Sequence, residues 1–229
     1  MNFSALLRAV AYKEAVKLRV PWIVLLCCNA AFLAWLFVDV RGLFRFDHPE
    51  IVWYRVVGLG QAHYAPARLI PLLSGLVFAC MQFLPEMRDE RLRLSLHLPV
   101  SSGSVVLAHL VAGTAGLAVL YLGDTLFLVW LTFFYFPCEA VNTMLLTFAP
   151  WLLAGLTGYL GVTLALLEPM LKLRVFNLAL TAGLVMPLLE TAPPGAYARA
   201  LPYFLLIPPL LLLAVQLPAH HFRHRRSAV

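Results

Sequence analysis

SVVLAHLVAGTAGLAVLYLGDTLFLVWLTFFYF, residues 104–136, is the run on which the topology turns. Its roughly 33 residues would make about 50 Å of helix. That is long for one crossing of a hydrocarbon layer of about 30 Å and short for two. A split at Gly123-Asp124 leaves residues 125–136 as a second piece, too short to cross. It also gives seven spans and puts the basic tail, residues 220–226, outside, against the rule that Lys and Arg stay on the cytoplasmic side. One long or tilted helix, starting below the membrane surface, is the expectation.

The rest of the chain agrees with a bilayer setting. Of its 229 residues, 62% are hydrophobic and 12% are charged, and the mean hydropathy is +0.86. Soluble domains carry about 25% charged residues, so this much apolar surface calls for lipid as the solvent. The net charge of +6 could point to nucleic acid, but the basic residues flank apolar runs, and no nucleic-acid partner is expected. Cys27, Cys28, Cys80 and Cys138 form no C-x-x-C pair and read as small packing residues.

Working outward, six spans are expected near 21–40, 69–85, 104–136, 142–167, 175–189 and 201–217, in a single domain covering 1–229. Residues 1–20 read as an amphipathic helix on the inner surface, with Phe3, Leu6, Leu7 and Val10 on one face. Glu14 and Lys17 spoil that stripe, and Pro21 marks the turn into the first span. Asp47-His-Pro-Glu50 reads as a capping box opening a short interfacial helix rich in Trp and Tyr. Gly155, Gly158 and Gly161 recur every three residues in the fourth span, where small residues let a neighbouring helix approach closely.

Basic residues orient the layout. Arg8, Lys13, Lys17, Arg19, Arg88, Arg91, Arg93, Lys172, Arg174, Arg223, Arg225 and Arg226 fall on one side. Only Arg41, Arg45, Arg55, Arg68 and Arg199 fall on the other. Both termini are therefore expected in the cytoplasm.

Between the second and third spans lies Glu86-Met-Arg-Asp-Glu-Arg-Leu-Arg-Leu-Ser-Leu-His-Leu-Pro-Val-Ser101. It resembles the cytoplasmic elbow of ABC-2 type transporter permeases, in which an acidic residue leads through a Leu-rich stretch to Leu-Pro-Val-Ser. Glu86, Leu92, Leu94, Leu96, Leu98, Pro99, Val100 and Ser101 stand at the matching places. Where the family has Gly-Thr-Leu, this chain has Glu90-Arg91-Leu92. The resemblance implies an all-α membrane protein of six transmembrane helices with an N-terminal amphipathic helix and this coupling elbow. It implies a permease subunit of an ATP-driven exporter in a prokaryotic inner membrane. Such a chain pairs with a second permease, identical or a sister, and with a separate ABC ATPase that carries the ATP and Mg. The ATPase would dock on Glu86, Arg88, Asp89, Glu90, Arg91, Arg93 and Pro99.

The chain itself is not expected to be an enzyme. It has no G-x-x-x-x-G-K-[ST] loop to cradle phosphates. Ser101 and Ser102 lack an orienting carboxylate for hydrolase chemistry. His109 stands alone in its span, without the facing histidine that a b-type haem wants. Asp47, His48, Glu50 and His63 match no standard metal spacing, so no metal is expected. A non-transporting anchor subunit of a membrane enzyme complex is the alternative reading. Asp124 is the least comfortable residue, because an aspartate at a span's centre costs about 2.5–3.5 kcal/mol. It either lines the translocation path or makes an interhelical polar contact, with Thr157, Tyr159 or Asn177 as the named partners, or it carries a proton.

Overall fold

A computed structural model describes residues 3–88, 101–190 and 193–218. The described residues form only helices and turns. Helix α1 runs Phe3–Phe46, α2 Pro49–Trp53, α3 Ile70–Arg88, α4 Ser102–Tyr135, α5 Cys138–Leu167 and α6 Leu171–Val185. Two short pieces, α7 (Leu201–Phe204) and α8 (Ile207–Ala214), follow. Six helical segments are long and apolar enough to cross a membrane.

Residues 104–135 belong to one helix, α4, as the length of the run predicts, and Phe136 is its extended C-cap. Its start is set by Ser101, whose hydroxyl accepts from the Ser104 amide and so satisfies one of the helix's unpaired donors. Asp124 sits inside this unbroken helix and is buried.

The first span differs from expectation. The chain does not turn at Pro21, because α1 is a single helix of 44 residues with Pro21 in its interior. A proline is tolerated there because neighbouring helices in a membrane bundle make good the lost backbone bond. The buried positions Leu6, Val10, Glu14, Leu18, Leu25, Asn29, Leu33, Leu36 and Val40 also continue in step across Pro21. The stripe is spaced by three or four residues, except for the seven from Leu18 to Leu25, where Pro21 and Trp22 are half-buried. Glu14 lies on the stripe rather than spoiling it.

The capping box is not formed either. His48 is the N-cap of α2 and makes no side-chain cap bond. Asp47 instead pairs with Arg55 at 2.7 Å, one turn past α2, where a guanidinium competes better for the carboxylate than a backbone amide. Trp53 donates its indole N–H to the Tyr135 carbonyl at 2.8 Å, tying this outer segment to the end of α4.

α5 is the centre of the bundle. It packs most extensively on α3 and next on α6, while α4 lies against α1. The glycine repeat explains the first two contacts. A Cβ on Gly75 of α3 would strike the Gly155 carbonyl of α5, and one on Gly155 would strike the Pro71 carbonyl and the Tyr121 hydroxyl. A Cβ on Gly161 would strike Thr181 of α6. The α3 and α5 backbones therefore meet directly at Gly75 and Gly155, while on α6 the Thr181 side chain fills the space that Gly161 leaves. Pro193-Pro194-Gly195 makes the turn before α7, with Gly195 at φ +80°, and its amide donates to Thr147 Oγ1 at 2.9 Å.

Two large apolar clusters fill the bundle, one toward each end, and a small third one joins Ala154, Val185 and Leu188. One joins Leu6, Val10, Leu18, Phe78, Phe83, Val106, Leu110 and Tyr159. The other joins Leu36, Val40, Tyr64, Leu128, Leu131, Phe136, Phe148 and Trp151.

Candidate functional site

The first cluster encloses the densest polar chemistry among the described residues. Lys13, Glu14 and Lys17 come from α1. Gln82 and Glu86, four residues apart and so on one face of α3, come from the second helix. His109 stands on α4 in the same relation to Val105. The Glu86 carboxylate is fully buried and receives the Lys13 ammonium at 2.9 Å and the Lys17 ammonium at 3.0 Å. Lys17 also reaches Glu14 Oε1 at 2.6 Å and donates to the Gln82 carbonyl at 3.0 Å. Its three N–H donors thus have three acceptors.

Neutral groups extend this network to two more helices. Tyr159 of α5 donates to Gln82 Oε1 at 2.7 Å, and Gln82 Nε2 donates to the His109 carbonyl at 2.9 Å. His109 Nδ1 lies 2.9 Å from the Val105 carbonyl. A carbonyl only accepts, so Nδ1 carries the hydrogen, and Nε2 of the neutral ring is a bare acceptor. That nitrogen is 3.8 Å from Glu14 Oε1. His109 Nε2 and Glu14 Oε2 are both buried without a hydrogen-bond partner. Gly113 leaves the room needed, since a Cβ there would collide with the Tyr159 hydroxyl and Gln82 Oε1.

Glu14, Glu86 and His109 bring ligand atoms within 4.8 Å of one another, the spacing of a metal site. The cation between the two carboxylates is already the Lys17 ammonium, and Lys13 covers Glu86 from the other side. A dication added to two lysines would leave the pocket with a large uncompensated positive charge. The donor set therefore does not fit a metal.

Of the elbow residues expected to dock the ATPase, Glu86 is the one whose side chain the structure describes, and it points into the bundle. Its carboxylate is consumed by α1 and is not on a surface that a partner could touch. Arg88 is the last residue of α3. Asp89, Glu90, Arg91, Arg93 and Pro99 lie outside the described residues.

Asp124 makes an interhelical contact, but with none of the three partners named from the sequence. Asn29 of α1 donates to Asp124 Oδ2 at 3.2 Å, and Ser74 of α3 donates to Asn29 Oδ1 at 3.2 Å. The aspartate, the amide and the hydroxyl form a chain across α4, α1 and α3, between the two apolar clusters.

Toward the opposite end, His63 lies against Phe136 with ring centroids 4.2 Å apart, and its Nε2 is 3.1 Å from Thr132 Oγ1. Burial holds its pKa down at about 4, so the ring is neutral at physiological pH. Asp47, grouped with it in the sequence, is engaged by Arg55.

Sequence reading missed Glu14, Lys17, Gln82 and His109 as a group, and Asn29 as the partner of Asp124. Two local signals were present: Glu14 and Lys17 three residues apart, and Gln82 and Glu86 four apart on an otherwise apolar face. No protein-family model matches the chain, and neither the curated proteins nor the solved structures contain a match.

Proposed function

We propose that this chain is the membrane-spanning permease subunit of an ATP-driven ABC exporter of the ABC-2 type. The observation that carries the reading is the charged, Leu-Pro-Val-Ser-ending segment 86–101 between the second and third apolar helices. The ionic cluster supports it. The helix entering that segment is braced to α1 through Glu86, and the helix leaving it begins on the Ser101 cap. A push on the elbow would therefore reach α3 and α4 rather than being lost in a loose loop.

In this reading Arg88, Asp89, Glu90, Arg91, Arg93 and Pro99 meet a separate ATPase, and Glu86 is the root of the elbow instead of its docking face. ATP and Mg belong to that partner. A second permease chain completes the translocation path, and both termini lie in the cytoplasm of a prokaryotic cell.

Purification of the intact chain from its native membrane tests the proposal. A stoichiometric P-loop ATPase should accompany it, and ATP should be hydrolysed by the complex but not by the chain alone. Arg91→Glu should lower the yield of the complex about tenfold, the expected cost of one charge-assisted contact. Recovery of a redox or hydrolase subunit in place of the ATPase would overturn the transporter reading in favour of the membrane anchor.

A further inference from the structure

His109 Nε2 lies 3.8 Å from Glu14 Oε1, which Lys17 already meets, and each of the two residues keeps one acceptor without a hydrogen. His109 Nδ1 is committed to Val105, Nε2 is bare, and Glu14 Oε2 is bare. Both residues are more than nine-tenths buried. Bare buried acceptors are costly, and each wants a donor. We propose that Glu14 and His109 form a one-proton binding site, in which a proton on Nε2 turns the pair into an ion pair between α1 and α4.

The surroundings decide among the candidate occupants. The charged and titratable groups around the pair are Lys13, Lys17 and Arg19 from α1, Glu86 from α3 and Tyr159 from α5. From α8, Leu211 contributes only apolar contact to the same core. With His109 neutral, Lys13 and Lys17 cancel Glu14 and Glu86, and the Arg19 charge is left at the groove. A proton therefore adds one positive charge, whereas a dication adds two. Lys13 is 39% exposed, so the single extra charge is placed where one ammonium can turn toward solvent. Glu14 also lines a largely apolar groove of about 470 Å³ walled by α1, α4 and Phe78 of α3.

The site has a mechanical consequence. Without the proton, the Glu14 carboxylate pairs within its own helix, with Lys17 three residues on. With the proton, Glu14 gains a partner on α4. Glu86 already links α3 to α1 through Lys13 and Lys17. The helices on both sides of segment 89–101 are then tied ionically to α1. Protonation closes the second of two ties, and deprotonation releases it.

Nitrogen NMR of the full chain in lipid nanodiscs, with labelled histidine and His109 assigned by His109→Gln, reads the site directly. At about pH 8, His109 should show one protonated and one bare nitrogen. At about pH 5.5 it should show imidazolium. Glu14→Gln should leave it neutral at both pH values, and a normal spectrum for the other histidines would establish that this variant is folded. A ring that stays neutral at pH 5.5 in the wild type would overturn the proposal and leave a bridging water as the occupant. Imidazolium that persists in Glu14→Gln would overturn the ion pair. Perturbation of His109 by one equivalent of zinc ion at pH 8 would overturn the proton in favour of a metal. The measurement uses the chain alone, so its failure leaves the transporter reading standing.

Discussion

The two ends of this bundle bury polar groups in opposite ways. Near segment 89–101, three helices contribute two lysines, two glutamates and a histidine, and the charges satisfy one another. At the other end, aromatic rings do the packing. Phe44 meets Tyr135 and Phe136, Phe136 stacks on His63, and Tyr64 lies against Trp151. The imidazole of His63 within that packing is kept neutral. An aromatic cluster has one good arrangement and resists change. An ionic cluster with exchangeable partners has several of similar energy, so it suits the end at which a partner is proposed to push.

The largest expected effect breaks the aromatic end. Phe136→Ala removes a buried ring stacked on His63 and should cost about 4 kcal/mol, read as the free energy of unfolding in a denaturing-detergent titration. Glu86→Leu tests the other end. It leaves Lys13 and Lys17 without their shared carboxylate and should cost about 3 kcal/mol in the same titration. If that variant is as stable as wild type, the cluster is ornamental and the contrast between the ends fails.

Acid separates the ends by a different route. His63 is held near a pKa of about 4 against an ordinary value of 6.5. Its folded pKa is depressed, so its contribution is fully present above pH 6.5 and is lost as the pH falls toward 4. At pH 5 the segment around His63 should be about 2 kcal/mol easier to open, read by amide hydrogen exchange. His63→Phe should abolish that pH dependence. The smallest effect belongs to the layer between. Asp124→Asn retains a partner for Asn29 and should change stability by less than about 1 kcal/mol. Asp124→Leu strands the Asn29 amide and should cost about 1–2 kcal/mol.

What could be read from the chain follows from how local each signal is. Helix α4 was legible because a mostly apolar run of about 33 residues admits one crossing and not two. The Gly155, Gly158 and Gly161 contacts were legible because the repeat lies within one helix. Asp124 was visible as an outlier, but Asn29 is 95 positions away and carries no mark of its own. Glu14 was misread because its burial is compensated from α3 and α4, and a helical wheel of α1 contains neither. Pro21 was misread as a stop because a proline ends helices in water, where no neighbouring helix supplies the missing bond.

The Gly75–Gly155 contact has a last consequence. Backbones that touch with no side chain between them have nothing compressible to give, so α3 is pinned against α5 at that level. Glu86 lies eleven residues further along α3, about 16 Å of helix from the pin. The pin acts as a fulcrum. A sideways load applied beyond Glu86 becomes a tilt, and the Pro71 end of α3, on the short arm, swings the opposite way. Tyr121 donates to the Pro71 carbonyl at 2.9 Å, so that return swing is handed directly to α4.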